Sequence, residues 1–244
     1  MNSALPLIIV TGAAGGLGTA TCELLLEKGY AVLGIDHNTS RFAKLVAKYK
    51  NAPLYPLQTN VEDPRLIDLV QETLPSQHPV KGLVYIAAQS KGDMIYHLSD
   101  DDWDHSFNVN VTPAMKLARF LAPKMQQNGS GSIVNIGSPV GIVGARKPSY
   151  AASKAALTGL TMSLARNLGS DNIRANLLLP GPMITPLTED WSSEKRERIA
   201  QTSFLKRLCE PTEVAHVIAF LLSDQASYMT GTVLDVTAGT MFGH

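Results

Sequence analysis

"TGAAGGLGTATCELL", residues 11–25, decides how this chain folds. The apolar run "LPLIIV" (5–10) leads into it, and a helical pattern leaves it. Gly12, Gly16 and Gly18 therefore stand where a strand gives way to a helix. Glycine permits a tight turn there, and its missing side chain lets the backbone and the helix N-terminus approach a pyrophosphate. A P-loop is excluded, because no Lys-Ser/Thr pair follows the last glycine. Asp36 ends the second apolar run, where a carboxylate can accept hydrogen bonds from the adenosine ribose and repel a 2′-phosphate. The glycine loop holds no Lys or Arg, so NAD is expected in preference to NADP, although His37 and Arg41 stand close by.

Outward from that stretch, short apolar runs alternate with helical patterns. Seven strands are expected at 5–10, 31–35, 53–58, 82–88, 132–137, 174–179 and 232–236. Helices are expected near 17–28, 40–49, 64–73, 101–127, 149–168 and 211–223. Most strands are apolar on both faces, which suits a parallel sheet covered on both sides by crossover helices. The expected class is α/β in three layers. No linker or change of composition divides residues 1–244, so one domain is expected, with 181–210 as a long excursion of the kind that forms lids.

Composition narrows the partners. The 244 residues hold 21 basic and 21 acidic side chains with no block of one sign, which argues against nucleic acid and anionic membranes. Cys22 and Cys209 lack metal-ligand spacing, and no clustered Cys/His set supports a metal-dependent alcohol dehydrogenase. With no charged leader and no apolar stretch of spanning length, a soluble cytoplasmic protein is expected.

Six motifs in order carry a resemblance: "TGAAGGLG", the Asn of "NVNVTP", the Ser of "NIGSPVG", "YAASK", "NLLLPGPMIT" and "MTGTVLDVTAG". Together they resemble the short-chain dehydrogenase/reductase family in its single-domain form. The resemblance implies a Rossmann-like doubly wound sheet in strand order 3-2-1-4-5-6-7, with the coenzyme across the carboxyl ends of the strands. It implies coenzyme contacts from Gly12, Ala14, Gly15, Gly16, Leu17, Gly18 and Asp36. Further contacts are implied from Asn60, Val61, Ala87 and Ala88, and from Pro180, Gly181, Met183 and Thr185, the last toward the nicotinamide carboxamide. Tyr150 becomes the acid/base, Lys154 its activator and a coenzyme contact with it, Ser138 the donor to the substrate oxygen, and Asn110 the anchor of a proton-carrying water.

The chemistry of these residue types agrees. Residues four apart share a helix face, so Lys154 can lie beside Tyr150. A positive charge roughly 4 Å from the phenol, at an effective dielectric of about 20, is worth about 4 kcal/mol. That would lower a pKa near 10 by about three units, less what desolvation takes back. The expected reaction is reversible hydride transfer between a nicotinamide and a secondary alcohol or ketone.

The chain departs from the family pattern in three places. "YIAA" (85–88) replaces the usual Asn-Asn-Ala-Gly, Asn60 stands where an Asp is usual, and "VTAG" (236–239) replaces Val-Asp-Gly-Gly. Gln89, Ser138, Arg146 and Tyr150 are expected to face the substrate, and Arg146 suggests a sugar, polyol or hydroxy acid. Trp191 and Phe204 are expected as inward anchors of the excursion. The resemblance also implies a dimer or tetramer. An NADPH-dependent carbonyl reductase and a non-catalytic nucleotide-binding sensor are the alternatives.

Overall fold

The computed structural model of the chain describes residues 4–185 and 188–241. Strands β1 (Leu7–Thr11), β2 (Ala31–Asp36), β3 (Leu54–Gln58), β4 (Val80–Tyr85), β5 (Gly131–Ile136), β6 (Ile173–Pro180) and β7 (Val233–Val236) form one sheet. Every pairing is parallel, and the order is β3-β2-β1-β4-β5-β6-β7. The helices are α1 (Gly16–Glu27), α2 (Thr39–Lys48), α3 (Leu66–Thr73), α4 (Asp100–Asn110), α5 (Thr112–Gln127), α6 (Val140–Val143), α7 (Pro148–Leu168), α8 (Ser193–Thr202) and α9 (Pro211–Leu222).

The apolar runs do not alternate with polar residues because both faces of the sheet are covered. Leu7 and Ile9 of β1 pack with Val70, Leu117, Leu121 and Leu157 from α3, α5 and α7. Ile8 and Val10 point the other way, to Leu25, Phe42 and Ile218 from α1, α2 and α9. Successive strand side chains take opposite faces, so a strand buried on both needs apolar residues throughout. β1 lies between β2 and β4, and the order reverses there. The connections after β1 and β4 leave in opposite directions and open a crevice at the carboxyl edge of the sheet.

The helix expected over 101–127 is two helices. Val111, at φ −126° and ψ −55°, breaks it. The cause is Pro113, which has no N–H to give the carbonyl of Val109 four residues back. β4 also ends at Tyr85 rather than at residue 88, because the N–H groups of Ile86 and Ala87 turn to the Thr11 hydroxyl at 3.0 and 3.2 Å. In the excursion, α8 is the expected charged helix. Trp191 is partly buried, with the Lys195 ammonium 4.7 Å from its ring centroid. Phe204 is no inward anchor: it is 64% exposed, and its ring lies over Gly239, where a side chain would collide with it. Among the described residues, no helix is long and apolar enough to cross a membrane.

Candidate active site

The residues singled out in the sequence gather along the carboxyl edge of the sheet. Asp36 is the last residue of β2, Ser138 follows β5, and Gly181 follows β6. Gly12 takes φ +67°, and a Cβ on it would come within 3.1 Å of the Ala87 backbone. A Cβ on Gly18 would stand 1.9 Å from the Gly12 carbonyl oxygen, so α1 closes onto the loop only without a side chain there. Gly15 caps α1 with no side-chain hydrogen bond, and the first turn, through Gly16, Leu17 and Gly18, carries no acid. The free N–H groups and positive end of the helix dipole thus face outward, as an anion site requires.

Asp36 stiffens this loop. Its carboxylate accepts from the N–H of Ala14 at 2.8 Å and from the N–H of Asn38 at 2.8 Å, and it is 7% exposed. Asn38 in turn caps α2 by accepting from the Arg41 N–H. On the other wall, Val61 is buried while Asn60 is exposed and bonded to Glu62. Ala87 and Ala88 lie partly exposed beyond β4. Pro180 ends β6, and Met183 pairs with Cys209 through a short parallel bridge. The Thr185 N–H donates to the Thr188 hydroxyl at 3.0 Å.

The reactive groups come from β5 and α7. Pro148 opens α7, a place that suits its fixed φ and missing N–H. One turn carries both Tyr150 and Lys154. The Ser138 hydroxyl is in hydrogen-bonding reach of the Tyr150 side chain. Lys154 is 3% exposed and donates to the carbonyl of Ile136 at 2.7 Å, with its ammonium nitrogen 5.9 Å from the Tyr150 ring centroid.

This geometry corrects the expected electrostatics. Burial pushes the Tyr150 phenol above its ordinary range, and the Ser138 hydrogen bond only partly offsets that. Burial also pushes Lys154 down, to about 7. Burial is the leading cause for both groups, and the ammonium is directed to the Ile136 carbonyl. Burial thus favours the protonated phenol over the phenolate.

Three other side chains singled out in the sequence are engaged by protein groups. Asn110 is fully buried, and its side chain is committed to protein. Its amide donates to the Gln89 carbonyl at 3.0 Å and to the Ser153 hydroxyl at 2.8 Å, and its oxygen accepts from the Gln89 N–H at 2.8 Å. Both amide protons are used, so this side chain ties the Gln89 loop to α7. The Gln89 side chain is turned to His105, 2.6 Å away, and His105 meets Glu62 at 2.9 Å. Arg146 is exposed, with its guanidinium 3.3 Å from the Met94 sulfur. Thr11, Ser153 and His105 were not singled out from the sequence. Thr11, beside the glycine loop, and Ser153, inside "YAASK", stood where a local signal could have found them, whereas nothing local marks His105.

The chain is similar to known proteins over nearly its whole length. A family model described as enoyl-(acyl carrier protein) reductase covers residues 12–241. A 3-oxoacyl-(acyl-carrier-protein) reductase of Thermotoga maritima is 34% identical over 235 residues, 95% of this chain and 96% of its own. The human (3R)-3-hydroxyacyl-CoA dehydrogenase is 33% identical over 246 residues, 96% of this chain and 94% of its own. A short-chain dehydrogenase/reductase structure from Burkholderia thailandensis superposes with a TM-score of 0.91 at 28% identity, covering 99% of this chain and 94% of that one. A variant actinorhodin polyketide ketoreductase with NADPH gives 0.90 at 25% identity, over 98% of each chain.

Proposed function

We propose, for a chain that belongs to the short-chain dehydrogenase/reductase family, that it interconverts 3-oxoacyl and 3-hydroxyacyl groups using NAD(H). The observation that carries this reading is the set of Ser138, Tyr150 and Lys154 at the edge where the glycine loop and Asp36 also lie. The glycine loop fits a dinucleotide: no side chain can enter the turn at Gly18, and no acid or side-chain cap blocks the α1 N-terminus. Gly12 to Gly18 would hold the pyrophosphate, Asp36 the ribose, and Pro180 to Thr185 the nicotinamide end. Bound there, the dinucleotide supplies or accepts the hydride.

Tyr150 donates its proton to the substrate oxygen in the reducing direction and recovers it in the other. Ser138 donates a hydrogen bond to the same oxygen and stabilises the charge that develops there. Lys154, held by the Ile136 carbonyl, adds positive charge behind the phenol in the fraction of molecules where it is protonated. Because burial favours the protonated phenol, Tyr150 is already in the state that donates a proton to a ketone oxygen at neutral pH.

The rim of the site supports an acyl substrate over the small polar one that Arg146 suggested. Ile142 and Val143, just beyond Ser138, are 57% and 63% exposed, and Met94 and Ile95 on the neighbouring loop are 40% and 66% exposed. An apolar chain gains by covering such side chains, whereas a sugar would not. The names of the two relatives point to the same substrate class. For the coenzyme, Asp36 and the absence of a cation from the glycine loop support NAD. The NADPH of the ketoreductase neighbour favours a second reading, an NADPH-dependent reductase. We further propose a dimer or tetramer of identical chains, built on α5 and α7.

Initial rates with NADH and NADPH on an acetoacetyl thioester, beside rates with NAD+ and NADP+ on a panel of sugars, polyols and hydroxy acids, test these readings. Turnover of the thioester with NADH is expected. Turnover confined to the polar panel would overturn the acyl assignment, a preference for NADPH would overturn the coenzyme assignment, and tight coenzyme binding without turnover would leave a sensor.

A further inference from the structure

Arg41 lies in the first turn of α2, whose cap Asn38 is itself held by Asp36. Its guanidinium does not point freely into solvent. It reaches across to Glu189 in the excursion, with one nitrogen 3.2 and 3.3 Å from the two carboxylate oxygens. Arg196 of α8 donates to the Glu189 carbonyl at 3.0 Å, so the acid is tied to the helix that follows it. A strap thus runs from the adenosine end of the crevice to the segment that follows β6. The two ends are 148 residues apart in sequence.

We infer that Glu189 is a coenzyme-specificity residue: it occupies Arg41 and so withholds from a 2′-phosphate the guanidinium at the ribose end of the site. The inference rests on the coenzyme placement proposed above. A 2′-phosphate brings about −1.5 to −2 charges. Arginine is the side chain best suited to bind it, through paired N–H donors. In the present arrangement that cation already faces one carboxylate, and Asp36 supplies a second negative charge at the end of β2. His37 is the other group of possible positive charge there, and it lies 3.8 Å from Asp36. The ribose end therefore favours a ligand without the extra phosphate. An exposed ion pair contributes little to folding, so the strap's effect is on which ligand is chosen.

Calorimetric titration of the coenzyme-free protein with NAD+ and NADP+ tests this without reference to turnover. Glu189→Gln should tighten NADP+ binding about five- to tenfold and leave NAD+ within about twofold, since a freed guanidinium matters only to the phosphate. Adding Arg41→Met to Glu189→Gln should abolish the gain. An NADP+ affinity unchanged by Glu189→Gln, or a gain that survives the loss of Arg41, would overturn the inference. The preference of the parent protein separately tests the coenzyme reading: a parent that already binds NADP+ more tightly contradicts the choice of NAD, whatever Glu189→Gln does.

Discussion

Replacing Lys154 by methionine isolates the cost of burying that ammonium. Methionine occupies similar space without a charge, so the comparison removes one titrating group and one hydrogen bond, that to the Ile136 carbonyl. In the folded protein Lys154 is held at about 7, against about 10.4 in an unfolded chain. The unfolded state therefore binds more protons throughout that window, and the parent gains stability as pH rises from about 7 to about 10.4. Below about 7 the full penalty applies, close to 5 kcal/mol at about 1.36 kcal/mol per pH unit. The variant escapes this penalty but leaves the buried carbonyl unpaired, which costs about 1–3 kcal/mol at every pH. It should therefore be the more stable protein near pH 6, by roughly 2–3 kcal/mol, and should lose that advantage near pH 9.5. The swing between the two pH values is about 3 kcal/mol whatever the hydrogen bond is worth. Urea unfolding of coenzyme-free parent and variant, at equal protein concentration across this range, measures it. A stability difference that stays flat with pH would refute the reasoning, because it would mean that the lysine keeps its ordinary pKa in the folded chain.

Tyr150→Phe should lower kcat by about 10²–10⁴ while coenzyme affinity, measured by titration, stays unchanged. In the parent, alcohol oxidation should climb with pH well beyond neutrality, because burial holds the phenol above its usual value; a profile that levels off below pH 7 would contradict this. Gly18→Ala places a methyl 1.9 Å from the Gly12 carbonyl oxygen, so coenzyme binding should be lost and urea unfolding should show about 1–3 kcal/mol less stability. Tyr85→Phe should cost about 1–3 kcal/mol in the same assay and lower kcat more than it raises KM, through the loop that Asn110 holds.

The parts of this protein that could be read from its sequence are those governed by local rules. The seven strands and the glycine turn follow from apolar runs at crossover spacing and from the glycines between a strand and a helix, whereas the strand order comes from the family resemblance. Helical periodicity puts Tyr150 and Lys154 on one face, and the resemblance supplies their roles. What could not be read depends on direction in three dimensions. No spacing reveals that the Lys154 ammonium bonds the end of β5, and the electrostatics of the pair turn on that contact. Likewise Gln89 and Arg146 stand at the right positions for substrate, but His105 and Met94, distant in sequence, decide where they point. The exposure of Phe204 depends on the packing of the excursion against the segment around Gly239.

The departure at "YIAA" shows how one missing donor can be answered by a residue far away. Pro113 cannot serve the Val109 carbonyl, and Val109 is buried, so that oxygen has no route to water. Tyr85 is 1% exposed, and its hydroxyl donates to that same oxygen at 2.5 Å. The phenol spans the distance from the sheet to the helix break. The break sets where Asn110 falls, and Asn110 joins Gln89 to Ser153, whose hydroxyl donates to the Tyr150 carbonyl at 2.8 Å. A continuous chain of hydrogen bonds and backbone thus runs from the central strand to the first turn of α7. On this reading the replacement at residue 85 preserves the placement of the reactive helix by different chemistry, which accounts for a broken motif beside an intact set of reactive residues.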